Sequence, residues 1–191
     1  MNAHAELVSE IHYHDGSILR VRFVHNEDRY RHQIELEKSQ TVQILMSSIE
    51  GTSKDTWPPS PPVCQLQRTP LPDGGFALLG TGAAGRGHWS LSVHIDRDSL
   101  VMDHACKPSA SETNWLGCMY RLETYGQLTD PHSILLNAWP NSILLRTTAT
   151  SDNSPANIDL SSEVLRICPT PESGLHQRWC YRLAIVPPES A

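Results

Sequence analysis

The chain contains no apolar run approaching the roughly 18 residues of a membrane-spanning helix. Its first segment, Met1 to Glu10, carries no basic stretch followed by an apolar one, so a secretory signal is not expected there. Cys-x-x-Cys is missing among the five cysteines, which removes the zinc ribbon and the thioredoxin motif as local signatures. Basic side chains are scarce: 15 Lys and Arg stand against 21 Asp and Glu, a formal net charge of −6. That balance excludes a general nucleic-acid binder, whose affinity comes from neutralising phosphates, and an anionic membrane surface as partner. Disorder is not expected either, because only 19% of residues are charged and large apolar side chains run throughout.

An odd number of cysteines without an export signal points to reduced thiols in a cytoplasm. Cys106/Cys118 and Cys168/Cys180 share one spacing, and they are the two disulfides expected if the chain were exported. The length of 191 residues predicts one domain.

Hydropathy alternation dominates what is present. Ile11 to His14 leads into Asp15-Gly16, a strong hairpin signal, and Ser17 to His25 follows. Asn26 to Asp28 is a turn, and Arg29 to Glu37 is a third strand. Leu19, Val21 and Phe23 share one face with Tyr30, Ile34 and Leu36 across the turn; Arg20, Arg22 and Glu35 lie on the other. Val42, Leu45, Met46 and Ile49 fall at i, i+3, i+4 and i+7, and Gly51 stands where a helix would end. This spacing predicts a helix over 40–50. Residues 52–62, with Trp57-Pro58-Pro59-Ser60-Pro61-Pro62, read as an extended crossing loop within the domain. Beyond it the strand pattern resumes, with Trp89, Leu91, Val93 and Ile95, and later Trp179, Tyr181, Leu183 and Ile185, alternating. Residues 187–191 read as a loose tail. About ten strands at short spacing plus one helix predict a mainly β, single-domain antiparallel barrel or sandwich with one packed helix.

Five groups of residues are candidates for chemistry. A two-residue turn at Asp15-Gly16 would place His12 and His14 on the inward face with His25 and His32. Inward histidines need hydrogen bonds or a metal, and His-x-His on a strand can offer two imidazoles to zinc. The two pairs stand ~20 Å apart along the strands, so each would need a ligand from elsewhere. His104 and Cys106 share a face, but apolar surroundings raise a thiol's pKa, which favours core packing over a catalytic dyad. Ser92, His94 and Asp103 supply the residue types of a hydrolase triad on a solvated face, without a nucleophile elbow. Gly80, Gly82 and Gly85, with Arg86, match G-x-G-x-x-G between two strands and are expected as a loop bordering a ligand. Trp57 and Trp139 are expected at the surface as stacking platforms. A Tyr-Arg-Leu triplet also recurs, at Tyr120 and at Tyr181, each near a cysteine.

The leading expectation is a non-catalytic β scaffold binding a small molecule or short peptide at Trp57, Gly80, Gly82, Gly85, Arg86 and Trp139, with no cofactor. The alternative is a metal- or histidine-dependent hydrolase using zinc at His12, His14, His25 or His32. A third is a structural subunit whose sheet pairs with itself, as in a homodimer, or with a partner.

Overall fold

The structure, a computed structural model, describes residues 6–85, 87–107, 115–151, 154–170 and 177–186. Arg86 and the tail 187–191 lie outside these. Fifteen strands follow one another: β1 (Glu6–His12), β2 (Ile18–Asn26), β3 (Arg29–Lys38), β4 (Thr41–Ser48), β5 (Gln65–Pro70), β6 (Phe76–Ala84), β7 (Gly87–Asp96), β8 (Ser99–Lys107), β9 (Cys118–Leu122), β10 (Gly126–Asp130), β11 (Ser133–Asn137), β12 (Ser142–Thr148), β13 (Asn157–Ser161), β14 (Val164–Cys168) and β15 (Gln177–Val186). They form two antiparallel sheets. One has the order β1-β2-β3-β4-β9-β14-β13, the other β10-β11-β12-β15-β8-β7-β6-β5. Neither closes on itself, so the architecture is a sandwich and not a barrel. Its core joins the inward residues of both sheets, Leu19, Val21, Phe23, Ile34 and Leu36 from one, Leu91, Val93, Trp179 and Leu183 from the other. No helix among the described residues is long and apolar enough to cross a membrane.

The helix expected over 40–50 is strand β4, and the reason is local. At Ile34/Glu35 the β3–β4 ladder slips by one residue, so Leu45 is extra on β4. A bulge of this kind turns two successive side chains to one face. Leu45 and Met46 are both fully buried, whereas Val42 is exposed. Period 2 interrupted by one bulge reproduces the i, i+3, i+4 spacing of a helix. The β3–β4 turn is also disguised. Ser39 and Gln40 both have positive φ, the requirement of a type I′ turn, without the Asn-Gly that usually announces it.

The glycine run is likewise a strand. Gly80 and Gly82 pair with Leu91 and Trp89 in the β6–β7 ladder. Residues 52–64 form a strap laid across them. A Cβ on Gly82 would stand 1.5 Å from Pro62 O, and one on Gly80 would stand 2.9 Å from Val63 Cγ1. Gly85, with φ +55°, leaves room for Thr56 O. The strap's far end is pinned: Tyr30 N donates to Val63 O and Cys64 N to Thr81 O, so it fastens one sheet to the other. The glycines therefore make a track for the chain's own proline-rich segment.

Replacing Gly82 by Ala puts a methyl into the Pro62 carbonyl, and the strap must lift. The expected loss is about 3 kcal/mol or more of unfolding free energy, at the upper end of overpacking. Denaturant titration checks it, with Trp57 fluorescence shifting to the red as the strap detaches.

Candidate functional site

The inward pair expected at His12 and His14 does not form. The β1–β2 connection is a five-residue loop, Tyr13 to Ser17, closed by Tyr13 N to Ser17 O at 2.9 Å. His12 therefore pairs with Ile18, not Leu19, and a slip of one residue turns it outward. His12 is exposed beside Glu10, 3.1 Å away, and His14 is exposed in the loop. The turn after β2 has the expected register: His25 opposes Tyr30 and His32 opposes Phe23. His25 sits edge-on to Tyr30, and His32 is buried. Among the described residues no three His, Cys, Asp or Glu side chains gather as a metal-holding group.

The other candidates disperse as well. Trp57 is half-buried, packs on Trp89 with ring centroids 4.9 Å apart, and donates from Nε1 to Trp115 O at 2.5 Å. Trp139 is 80% exposed. Ser92 opposes Asp103 as the turn at 96–98 predicts, but Asp103 accepts two bonds from Arg178, at 2.9 and 2.6 Å. All five cysteines are free.

The sandwich interior instead holds a chain of polar side chains. His32 Nε2 (β3) lies 2.7 Å from Tyr120 OH (β9). Tyr120 OH contacts Tyr181 OH (β15) across the two sheets. Tyr181 OH lies 3.2 Å from His104 Nε2 (β8). Cys118 Sγ is 3.6 Å from the same nitrogen and accepts from Trp179 Nε1 at 3.3 Å. At the other end Glu50 Oε1 is 3.5 Å from His32 Nδ1, and Arg29 donates to Glu50 O. One proton assignment serves the chain. His104 Nε2–H donates to Tyr181, Tyr181 to Tyr120, and Tyr120 to His32 Nε2, whose Nδ1–H faces Glu50.

Burial decides what this chain can do. It holds the His104 imidazole neutral, lowering its pKa to about 3. It raises the Cys118 thiol and both tyrosine hydroxyls well above their usual ranges, and pushes Cys106 up to about 12. A neutral thiol beside a neutral imidazole, sealed from water, is the wrong pair for nucleophilic attack. The chain acts as a structural tie. Sequence reasoning missed Tyr120, Tyr181, Cys118 and Glu50 as partners. The recurring Tyr-Arg-Leu was the available signal: its two tyrosines meet across the sheets, one from each.

The surface offers a different site, at the lateral seam where β10 ends one sheet and β13 ends the other. An open hollow of about 640 Å³ lies there, lined by Leu122, Glu123, Tyr125, Gly126, Leu160 and Glu163 among others. Tyr125 is 67% exposed, and Leu128 is exposed on β10. Trp139 belongs to the same region. Its N–H donates to Gln43, Gln43 reaches Thr124, and Asn137 N donates to Tyr125 O. At the far end Ile158 N donates to Pro131 O, which ties β13 to the β10–β11 turn.

Neither a protein-family model nor a curated sequence matches the chain.

His104 supplies a pH test. Its folded pKa is depressed, so its neutral burial contributes stability fully above the unfolded value near 6.5. As pH falls from there toward about 3, only the unfolded state takes the proton. Unfolding free energy is expected to fall by up to about 1.4 kcal/mol per pH unit from this residue alone. Chemical denaturation of wild type and His104→Gln between pH 7 and about 4 measures it. The variant, though less stable, shows a slope shallower by that amount.

Proposed function

We propose that this chain is a non-catalytic binding module that takes a short extended peptide along β10. The observation that carries the reading is the hollow at the β10–β13 seam with Tyr125 exposed at its rim. Backbone geometry supports it. Asn137 N donates to Tyr125 O just before the β10–β11 ladder begins, and hydrogen-bonded positions alternate along antiparallel strands. Gly126 and Leu128 therefore turn their N–H and C=O groups away from β11, toward the open edge. An added strand gains its affinity from those main-chain groups and its selectivity from neighbouring side-chain hollows. Tyr125, Leu128 and Trp139 supply apolar and aromatic area at the same place, with indole and hydroxyl donors at the tips of the two aromatic rings. Interior space does not favour a buried small molecule, since the described hollows are open grooves and the core is filled by Trp179, Tyr120, Tyr181 and Phe23.

A random peptide display selection against the whole chain tests the reading. Peptides rich in β-branched and apolar residues are expected, with affinities in the micromolar range. Leu128→Pro removes an outward N–H while sparing the ladder to β11, and Tyr125→Ala removes the rim. Each is expected to weaken the selected peptides by ~10-fold or more in titration calorimetry, with the far-ultraviolet spectrum unchanged. An empty selection, or peptides indifferent to both substitutions, defeats the reading.

A further inference from the structure

The opposite open edge belongs to β1, and it is built to pair with itself. Tyr13 N donates to Ser17 O, so Tyr13–Ser17 is a hydrogen-bonded pair. By alternation the odd residues Leu7, Ser9 and Ile11 bond to β2. The even residues Glu6, Val8, Glu10 and His12 turn their N–H and C=O groups to the free edge. The strand carries no proline, lysine or bulge of the kind that usually blunts an edge. Beside it lies an open groove of about 660 Å³, bordered by Glu6, Leu7, Val8 and Glu10 and faced by Arg68 and Phe76.

We propose that β1 pairs antiparallel with β1 of a second copy of this chain, about a two-fold axis at Ser9. Two independent observations select this register. The first is charge. Only even residues can exchange outward hydrogen bonds, so the strand pairs with its axis at Val8, at Ser9 or at Glu10, or with less overlap. An axis at Val8 sets Glu6 against Glu10; an axis at Glu10 sets two Glu10 side chains face to face. Like charges directly opposite are unfavourable. The axis at Ser9 sets Glu6 against His12 and Val8 against Glu10, and it alone uses the full strand. The neighbouring groups on this outer face agree. Glu10 lies by His12 and Arg20, whereas among the described residues Glu6 is held by Arg22 alone, at 3.9 Å.

The second observation is inside. Ser9 is fully buried, and its hydroxyl has no hydrogen-bond partner among the described residues. With the axis at Ser9 the two serines form a non-hydrogen-bonded pair, where facing side chains come closest, at Cα separations of ~4.5 Å. Each orphan hydroxyl then meets the other once the groups that cover Ser9 in the single protomer move aside. Leu7 of each copy lies opposite Ile11 of the other, which continues the apolar face. The result is one sheet running through both protomers. A contact confined to one strand is small, so the dimer exchanges with monomer in the micromolar range.

Sedimentation equilibrium of the full chain across micromolar concentrations tests the proposal. A reversible species of twice 21.3 kDa is expected. Val8→Pro deletes an outward N–H without touching the bond pattern to β2, and raises the dimer Kd by ~10-fold or more. Glu6→Lys weakens the dimer, and Glu6→Lys with His12→Glu restores it because an acidic and a basic side chain again face each other. Thermal melts of each variant confirm that the fold is kept. Ser9→Cys marks the axis: under oxidation it forms a covalent dimer that wild type, with its five native cysteines, does not. A wild type that stays monomeric overturns the proposal. So does a dimer unmoved by Val8→Pro, which would place the contact on another edge such as β10.

Discussion

The meeting of Tyr120 and Tyr181 is the contact on which the arrangement of the two sheets depends. Apolar faces attract without direction, so two packed sheets resist separation better than they resist sliding. Hydroxyls and imidazoles are different. Buried without partners they cost several kcal/mol, and hydrogen-bonded they cost little. His32 and Tyr120 belong to one sheet, Tyr181 and His104 to the other. Any offset that separates the tyrosine hydroxyls leaves polar groups of both sheets stranded in the core. The polar chain thereby makes one offset much better than its neighbours, which apolar contact alone would not do.

The strap holds this contact in place from outside. Ser60 Oγ accepts from Met119 N at 2.9 Å and donates to Met119 O at 3.2 Å. Met119 immediately precedes Tyr120, so the strap fixes the height of β9 and with it the tyrosine hydroxyl. The strap can reach Met119 only because it lies flat on the glycine track of β6. A Pro-rich segment is well suited to this position because it is already extended and loses little freedom when it docks. Glu50, at the strap's root, faces His32 at the other end of the polar chain. The glycines, the prolines and the buried rings are thus parts of one device.

Alternation was legible in the sequence wherever the turn was short and the strand unbroken. Phe23 with His32, Leu91 with His104 and Trp89 with Cys106 all pair as that pattern implies. It failed where tertiary contacts chose the turn. Asp15-Gly16 sits in a wider loop, because the Asp15 carboxylate is engaged by Lys38, Asn141 and the Ser17 N–H. These contacts hold its pKa below the usual carboxylate range. One residue of slip then carried His12 from the core to the surface. The bulge at Leu45 made a strand look like a helix. The strands β5, β10 and β13 escaped notice because each is exposed and short, with little alternation to read. The polar chain escaped for a different reason. Its contacting pairs lie 14 to 88 residues apart, and apart from the recurring Tyr-Arg-Leu no local pattern points to their meeting.

An open sandwich has four edge strands, and the way each is protected separates structure from interaction. On β5, Pro70 removes a donor, and Arg68 lies over the Phe76 ring at 3.5 Å. On β13, Asp159 pairs with Arg166 of β14, and Ile158 N is taken up by Pro131 O. Both are poor templates for another strand. β10 is shortened by a bulge near Thr129 but leaves Gly126 and Leu128 outward, so it suits a short guest. β1 is longer, unbulged and free of proline, and one register lets the strand meet itself without setting Glu against Glu. Edges that cannot be hidden must be blunted or used. The protection is concentrated on two edges, and the two left open differ in length as a peptide site and a self-pairing strand would.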